Sequence, residues 1–165
     1  DVKEVKYNNT YGNVMEVLKK ILPFATCCFT EEEDNILMWA HYANSHKGVC
    51  LIYDLEEDEK TFKALGSVIY KVEAPSIGVM ENDIIFSLIT KNPVWSYEKE
   101  WRLIQPAPGK KPLNRKCLKG IIFGCKSDDN SIKNVISVCE KSGYKDLKYY
   151  KMEMGERFGL IRKQI

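Results

Sequence analysis

The stretch Trp95-Ser96-Tyr97-Glu98-Lys99-Glu100-Trp101-Arg102-Leu103-Ile104 decides how this chain is read. Taken as a strand, its two-residue period sets Glu98, Glu100 and Arg102 on one face and splits off Tyr97, Trp101 and Leu103 onto the other. One face is then unusually polar and the other heavy and apolar. Two carboxylates in that relation can work together on one reacting centre. The plain alternative is a solvated face on which Arg102 pairs with Glu100, a contact worth about 0–1 kcal/mol.

Working outward, Asn92-Pro93 ends a helix predicted over 81–89. The cluster Pro106, Pro108, Gly109 and Pro112 makes the following stretch a loop. Beyond it, 118–123 reads as a strand closed by Gly124. Ser127-Asp128-Asp129 caps a helix over 131–141, Ser142-Gly143 ends it, and 147–152 is a second strong strand. A helix between those two strands permits one parallel crossover. Upstream, Tyr11, Val14, Val17, Leu18, Ile21 and Leu22 follow a helical period that Pro23 stops. A buried strand over 24–29 comes next. Thr30-Glu31-Glu32-Glu33 has the capping-box spacing and predicts a helix over 34–43 with acids in its first turn. After the turn residues Asn44-Ser45-His46-Lys47-Gly48, 49–53 reads as a strand. A charged helical connection over 55–65 is broken by Gly66, and a strand is predicted over 68–72. The sum is an α+β fold, a mixed β-sheet with flanking helices.

The 165 residues are enough for one domain with a sizeable core, and we read 1–165 as a single domain. A net charge of +2 is too small to argue by itself for nucleic acid or an anionic membrane. No apolar run approaches the roughly 18–20 residues of a membrane span. The six cysteines form no C-x-x-C pair and no Cys/His cluster at zinc spacing, so we expect reduced thiols in a cytoplasmic protein and no metal site. No glycine-rich phosphate loop and no G-x-S-x-G occurs.

Cys28-Phe29-Thr30, Asp34-Asn35-Ile36-Leu37-Met38-Trp39-Ala40-His41-Tyr42 and Lys47-Gly48-Val49-Cys50 form the first half of a recognisable pattern. Trp95, Tyr97-Glu98-Lys99-Glu100-Trp101-Arg102 and Leu118-Lys119-Gly120-Ile121-Ile122-Phe123-Gly124 form the second. Together, across residues 26–152, they resemble the bacterial family catalogued as domain of unknown function twenty-nine seventy-one. That family opens with a Tyr/His-rich strand, a helix and an Asn-Asp-Pro segment that these residues lack. The chain also starts at Asp1, and we expect it to be the C-terminal part of a longer protein.

In layout the pattern is similar to ADP-ribosyltransferases of the toxin and DNA-modifying type. The resemblance implies NAD as co-substrate, a protein or nucleic-acid acceptor, and a toxin or phage-defence setting. It implies Glu100 as the carboxylate that stabilises the ribosyl cation and Glu98 as its helper. Thr30, after Phe29, would be the middle-strand element, and Trp39 and Tyr42, three apart on one helix face, would wall the nucleotide pocket. The early strand element of those enzymes has no counterpart here.

Each assignment has a plainer rival. Trp39, Tyr42, Trp95 and Trp101 are also what a core needs as anchors. His41 and His46 are not placed to share a helix face. The acidic run at 31–34 is explained by capping, and Lys110, Lys111, Arg115 and Lys116 by a solvated loop. At the level of function the rival is a non-catalytic sensor or protein-interaction domain. A metal-dependent nuclease would need acids beyond Glu98 and Glu100. Burial discriminates: carboxylates in a cleft favour an enzyme, and a flat exposed face favours binding.

Overall fold

A computed structural model describes residues 24–75, 81–156 and 159–165, and the helix predicted over 11–22 lies outside them. In chain order the elements are β1 Ala25–Thr30, α1 Ile36–Tyr42, β2 Val49–Tyr53, α2 Glu59–Phe62, β3 Leu65–Ser67, β4 Ile69–Tyr70 and α3 Glu81–Leu88. There follow β5 Thr90–Lys91, β6 Glu100–Gln105, β7 Leu118–Phe123, α4 Asp129–Lys141, β8 Lys148–Met154 and β9 Leu160–Gln164. Short 3-10 turns span Leu55–Asp58, Pro93–Glu98 and Arg115–Cys117.

The α+β class is as read from the sequence, and its mixed sheet is four-stranded, in the order β2-β7-β8-β9. β7 and β8 are parallel, with α4 as the crossover, while the outer pairs are antiparallel. The second half of β7, Ile121-Ile122-Phe123, is packed on both faces, which is why it reads as a continuous apolar run. Ile121 and Phe123 meet Ile132, Val135, Ile136 and Cys139 of α4. Ile122, pointing the other way, meets Trp39 of α1 and its C-cap residue Ala43, with Met152 and Leu160. Asp128 caps α4 by accepting from the Ser131 N–H.

Among the described residues two smaller sheets lie beside it: antiparallel β1-β6-β3, and the parallel pair β4-β5. A third core cluster of Phe62, Leu103 and Cys117, flanked by Phe29 and Tyr53, joins β6 to the large sheet.

Several local expectations are corrected. The 95–104 run is not one strand, because the Asn92 side chain accepts from the Val94 N–H and Pro93 starts a 3-10 turn that reaches Glu98. Lys99 then adopts a left-handed φ of 41°, and the strand begins at Glu100. Thr30 does not cap a helix. It ends β1, and Asn35 caps α1 by accepting from the Leu37 and Met38 N–H groups. The acidic run therefore lies before the helix, where Glu31 accepts from the Trp101 indole and Glu32 and Glu33 pair with Lys99 and Arg162. β1 is a strand, but Thr26, Cys27 and Cys28 are exposed rather than buried. Gly66 does not end a helix; it sits in β3 opposite Arg102. The strand expected over 68–72 shortens to β4. The tail, unassigned from sequence, supplies β9.

Candidate functional site

The turn at Pro93–Glu98 and the start of β6 bring the two carboxylates together by a route a strand would not take. Glu98 is the last residue of the 3-10 turn, and Glu100 the first of the strand. Two side chains, one at the end of β1 and one at the N-cap of α1, hold the turn in place. The Thr30 hydroxyl donates to the Glu98 carbonyl at 2.6 Å, and the Asn35 amide donates to the Tyr97 carbonyl at 3.2 Å. The Glu100 N–H donates to the Tyr70 hydroxyl at 3.0 Å, tying β6 to β4.

Glu98 and Glu100 are 2% and 6% exposed, so neither charge is left to water. Ionised carboxylates at that depth need partners. Lys91, from β5, donates to Glu98 Oε2 and, at 3.0 Å, to Glu100 Oε2. Arg102 grips Glu100 with two bonds, Nε to Oε1 at 2.7 Å and Nη2 to Oε2 at 3.0 Å, and spends Nη1 on the Leu88 carbonyl. Tyr42 donates its hydroxyl to Glu98 Oε1 at 2.8 Å. Arg102 thus pairs with Glu100 as the plain reading expected, but beneath the surface instead of on a solvated face.

The electrostatics follow from these contacts. Burial alone would raise the Glu100 carboxyl, but hydrogen bonds from Arg102, Cys28 and Lys91 outweigh it and hold it down to about 2. Burial opposes the Lys91 charge, yet its bonds to Glu98 and Glu100 win and raise it above its ordinary value. The Tyr42 hydroxyl is raised, first by its bond to Glu98. Partial desolvation on the cleft wall, and then the neighbouring Glu100 carboxylate, push the Cys28 thiol up to about 11, which leaves it protonated and a poor nucleophile at neutral pH.

Among the described residues, this cluster lies on the wall of a cleft of about 1260 Å³. Phe29, Val49, Leu51, Ile52 and Leu103 are among the apolar residues that line it. Thr30, Trp39, Tyr42, Glu98 and Glu100 all line it too, so the structure brings the five sequence-derived residues to one cavity. They are not equally available there. Trp39 is 3% exposed in the core, and its indole donates to the Glu33 carbonyl at 2.7 Å. The Thr30 hydroxyl is already committed to Glu98 and to the Glu32 N–H. Tyr42 is exposed, and its neighbour His41 sets its ring edge-on to Trp95 at 6.3 Å.

Lys91 was missed from sequence. It occupies a two-residue strand with no periodicity of its own, and its neighbours Asn92-Pro93 read as punctuation. Tyr70 and Cys28 were missed for another reason: each reaches the site from a different strand, Tyr70 from β4 through the Glu100 N–H and Cys28 from β1 opposite Arg102. Among the described residues no group of three or more His, Cys, Asp or Glu is placed to hold a metal ion. No helix among them is long and apolar enough to cross a membrane.

Residues 38–103 match the model of a family described as "Protein of unknown function (DUF2971)". That span contains Tyr42, Lys91, Glu98, Glu100 and Arg102. No curated protein and no solved structure matches the chain.

Proposed function

We propose that this chain, whose residues 38–103 match the DUF2971 family model, binds an NAD-type dinucleotide in the cleft and transfers ADP-ribose to an acceptor. One observation carries the reading: two carboxylates, nearly excluded from water, converge on the wall of a large and mainly apolar cleft. Breaking the bond between nicotinamide and ribose builds positive charge on the ribose. An anion fixed in a low-dielectric site stabilises that charge far better than water does. Glu100, held ionised down to about 2, supplies it. Glu98, oriented by Tyr42, takes the proton from the acceptor oxygen or nitrogen as that atom bonds to the ribose carbon. Nicotinamide leaves with the bonding electron pair. The acceptor is a protein or a nucleic acid, and the setting a cytoplasmic toxin or phage-defence system.

The test is ligand-observed NMR of NAD together with a nicotinamide-release assay on the full-length protein and on Glu100→Gln. Binding in both with release lost in the variant supports the transferase. Absence of binding and release in the full-length protein overturns it.

A second reading, a non-catalytic sensor or protein-interaction domain, is favoured by the saturation of the cluster. Each carboxylate oxygen of Glu98 and Glu100 already accepts a bond within the chain. Partner capture without nicotinamide release is its signature.

A further inference from the structure

Sheet edges are guarded by charge, proline, shortness or cover, because their free N–H and C=O groups pair with any extended chain. β9, an edge of the large sheet, carries Arg162 and Lys163, and β3 is only three residues long. β1 and β2 are edge strands too, Ala25-Thr26-Cys27-Cys28-Phe29-Thr30 and Val49-Cys50-Leu51-Ile52-Tyr53, and neither holds a charge or a proline. Thr26, Cys27, Cys28, Val49 and Leu51 are exposed. Among the described residues, no backbone bond reaches 25–29 or 49–52 except from the strand each already pairs with. An antiparallel edge strand turns the N–H and C=O of every second residue outward.

Both edges border one space. Every residue of β1 and of β2 lines the cleft of about 1260 Å³. The side chains of one face would supply only alternate residues, so the cleft runs along the strand edges. It takes in Arg102 and Leu103 from opposite faces of β6, as a space wrapped round the β1 edge does.

The two faces of β1 define what fits there. Phe29 sets its ring edge-on to Tyr53 and Phe62, so its side is apolar. Cys28 lies beside the Glu100 carboxylate and the Thr30 hydroxyl holds the Glu98 carbonyl, so their side is polar. Lys91 and Arg102 already neutralise the two acids, and that side calls for no further charge. The whole lining carries five glutamates against Lys91, Arg102 and Lys111. Lys99 and Arg162, outside the lining, pair with two of the five. The sum is neutral, and a phosphate backbone finds no excess of positive charge.

We infer that the cleft is a strand-addition site: a partner protein inserts an extended segment along β1, with apolar side chains on the Phe29 side and uncharged polar ones on the Cys28 side. Main-chain hydrogen bonds supply the affinity and alternate side chains the selection. The inference stands on the edges, whether or not the carboxylates are catalytic. Where they are, the inserted segment is the acceptor, and the acceptor is a protein.

The test is hydrogen–deuterium exchange and a binding titration on the full-length protein. The probe is a peptide of alternating valine and serine, about seven residues long to span β1, with a lysine at each end for solubility. Saturation should slow exchange of the β1 amides by about tenfold or more. Methylating the central backbone nitrogens of the peptide, which blocks both of its edges, should weaken binding by about tenfold or more. An all-serine peptide should bind as poorly, having lost its apolar face. Unchanged β1 exchange, or equal binding of the methylated peptide, overturns the inference. So do β1 amides already slow in the free protein, since its own chain or a second copy then holds the edge. Protection of β1 by single-stranded oligodeoxythymidylate and not by the peptide overturns it in favour of nucleic acid. Peptide binding by a protein that neither binds NAD nor releases nicotinamide supports strand addition and sinks the transferase. NAD binding and release with none of the peptide effects does the reverse.

Discussion

Tyr42 and Glu98, 56 positions apart in the chain, meet through a hydroxyl–carboxylate hydrogen bond of 2.8 Å at the lip of the cleft. Tyr42 is largely exposed while Glu98 is buried, so the bond links a solvent-facing ring to an internal charge. Tyr42→Phe removes the bond and leaves Glu98 paired with Lys91. We expect a stability loss of about 1 kcal/mol by chemical denaturation. If Glu98 receives the acceptor's proton, kcat should fall by about tenfold with KM little changed. An unchanged kcat would remove Tyr42 from the orientation of Glu98.

Glu100 makes stability depend on acid in a defined window. Its carboxyl titrates at about 2 in the folded chain against an ordinary 4.5. As pH falls the unfolded chain takes the proton first, so the stabilisation is full above 4.5 and is lost toward 2. The loss is on the order of 3 kcal/mol. Glu100→Gln should be less stable at neutral pH, by about 3 kcal/mol, because Arg102 and Lys91 lose a buried counter-charge. It should also show a flatter decline across that window. Denaturant titrations of both proteins through the window check this, and parallel pH profiles would contradict it.

Asn35 has two duties. Its Oδ1 caps α1 at 3.0 Å and 3.3 Å from the Leu37 and Met38 N–H groups, while its amide holds the Tyr97 carbonyl. Asn35→Ala should cost about 1–2 kcal/mol. Asn35→Asp keeps the cap but loses the donor to Tyr97. It should therefore recover the helix more fully than it recovers nicotinamide release.

Gly124 lies against the backbone of the turn that precedes β2. A Cβ there would overlap the His46 carbonyl oxygen. That turn has consecutive left-handed residues, Asn44, Ser45 and His46, and its Lys126-to-His46 backbone bond leaves it little room to yield. Gly124→Ala should destabilise by more than about 4 kcal/mol or prevent folding. A melting temperature within a few degrees of wild type would show that the turn can move.

The residues that lie in long periodic runs are legible in the sequence. β7, α4 and β8 form a strand, a capped amphipathic helix and a strand whose hydrophobic pattern and breakers agree with their packing, so local signals were enough. The conjunction of Glu98, Glu100 and Arg102 was visible too, though for a reason the structure replaced: a 3-10 turn and a left-handed Lys99, not one continuous strand, bring the acids together. Tertiary structure alone decided the rest. Whether the acids were solvated or buried depends on what packs over them. Their counter-ion Lys91 arrives on β5, their tyrosine from α1 and their thiol neighbour from β1. None of these has a sequence spacing to the acids that any local period would select. Long-range pairing of charges is set by burial and strand registry, and a periodicity of 2 or 3.6 residues carries no information about it.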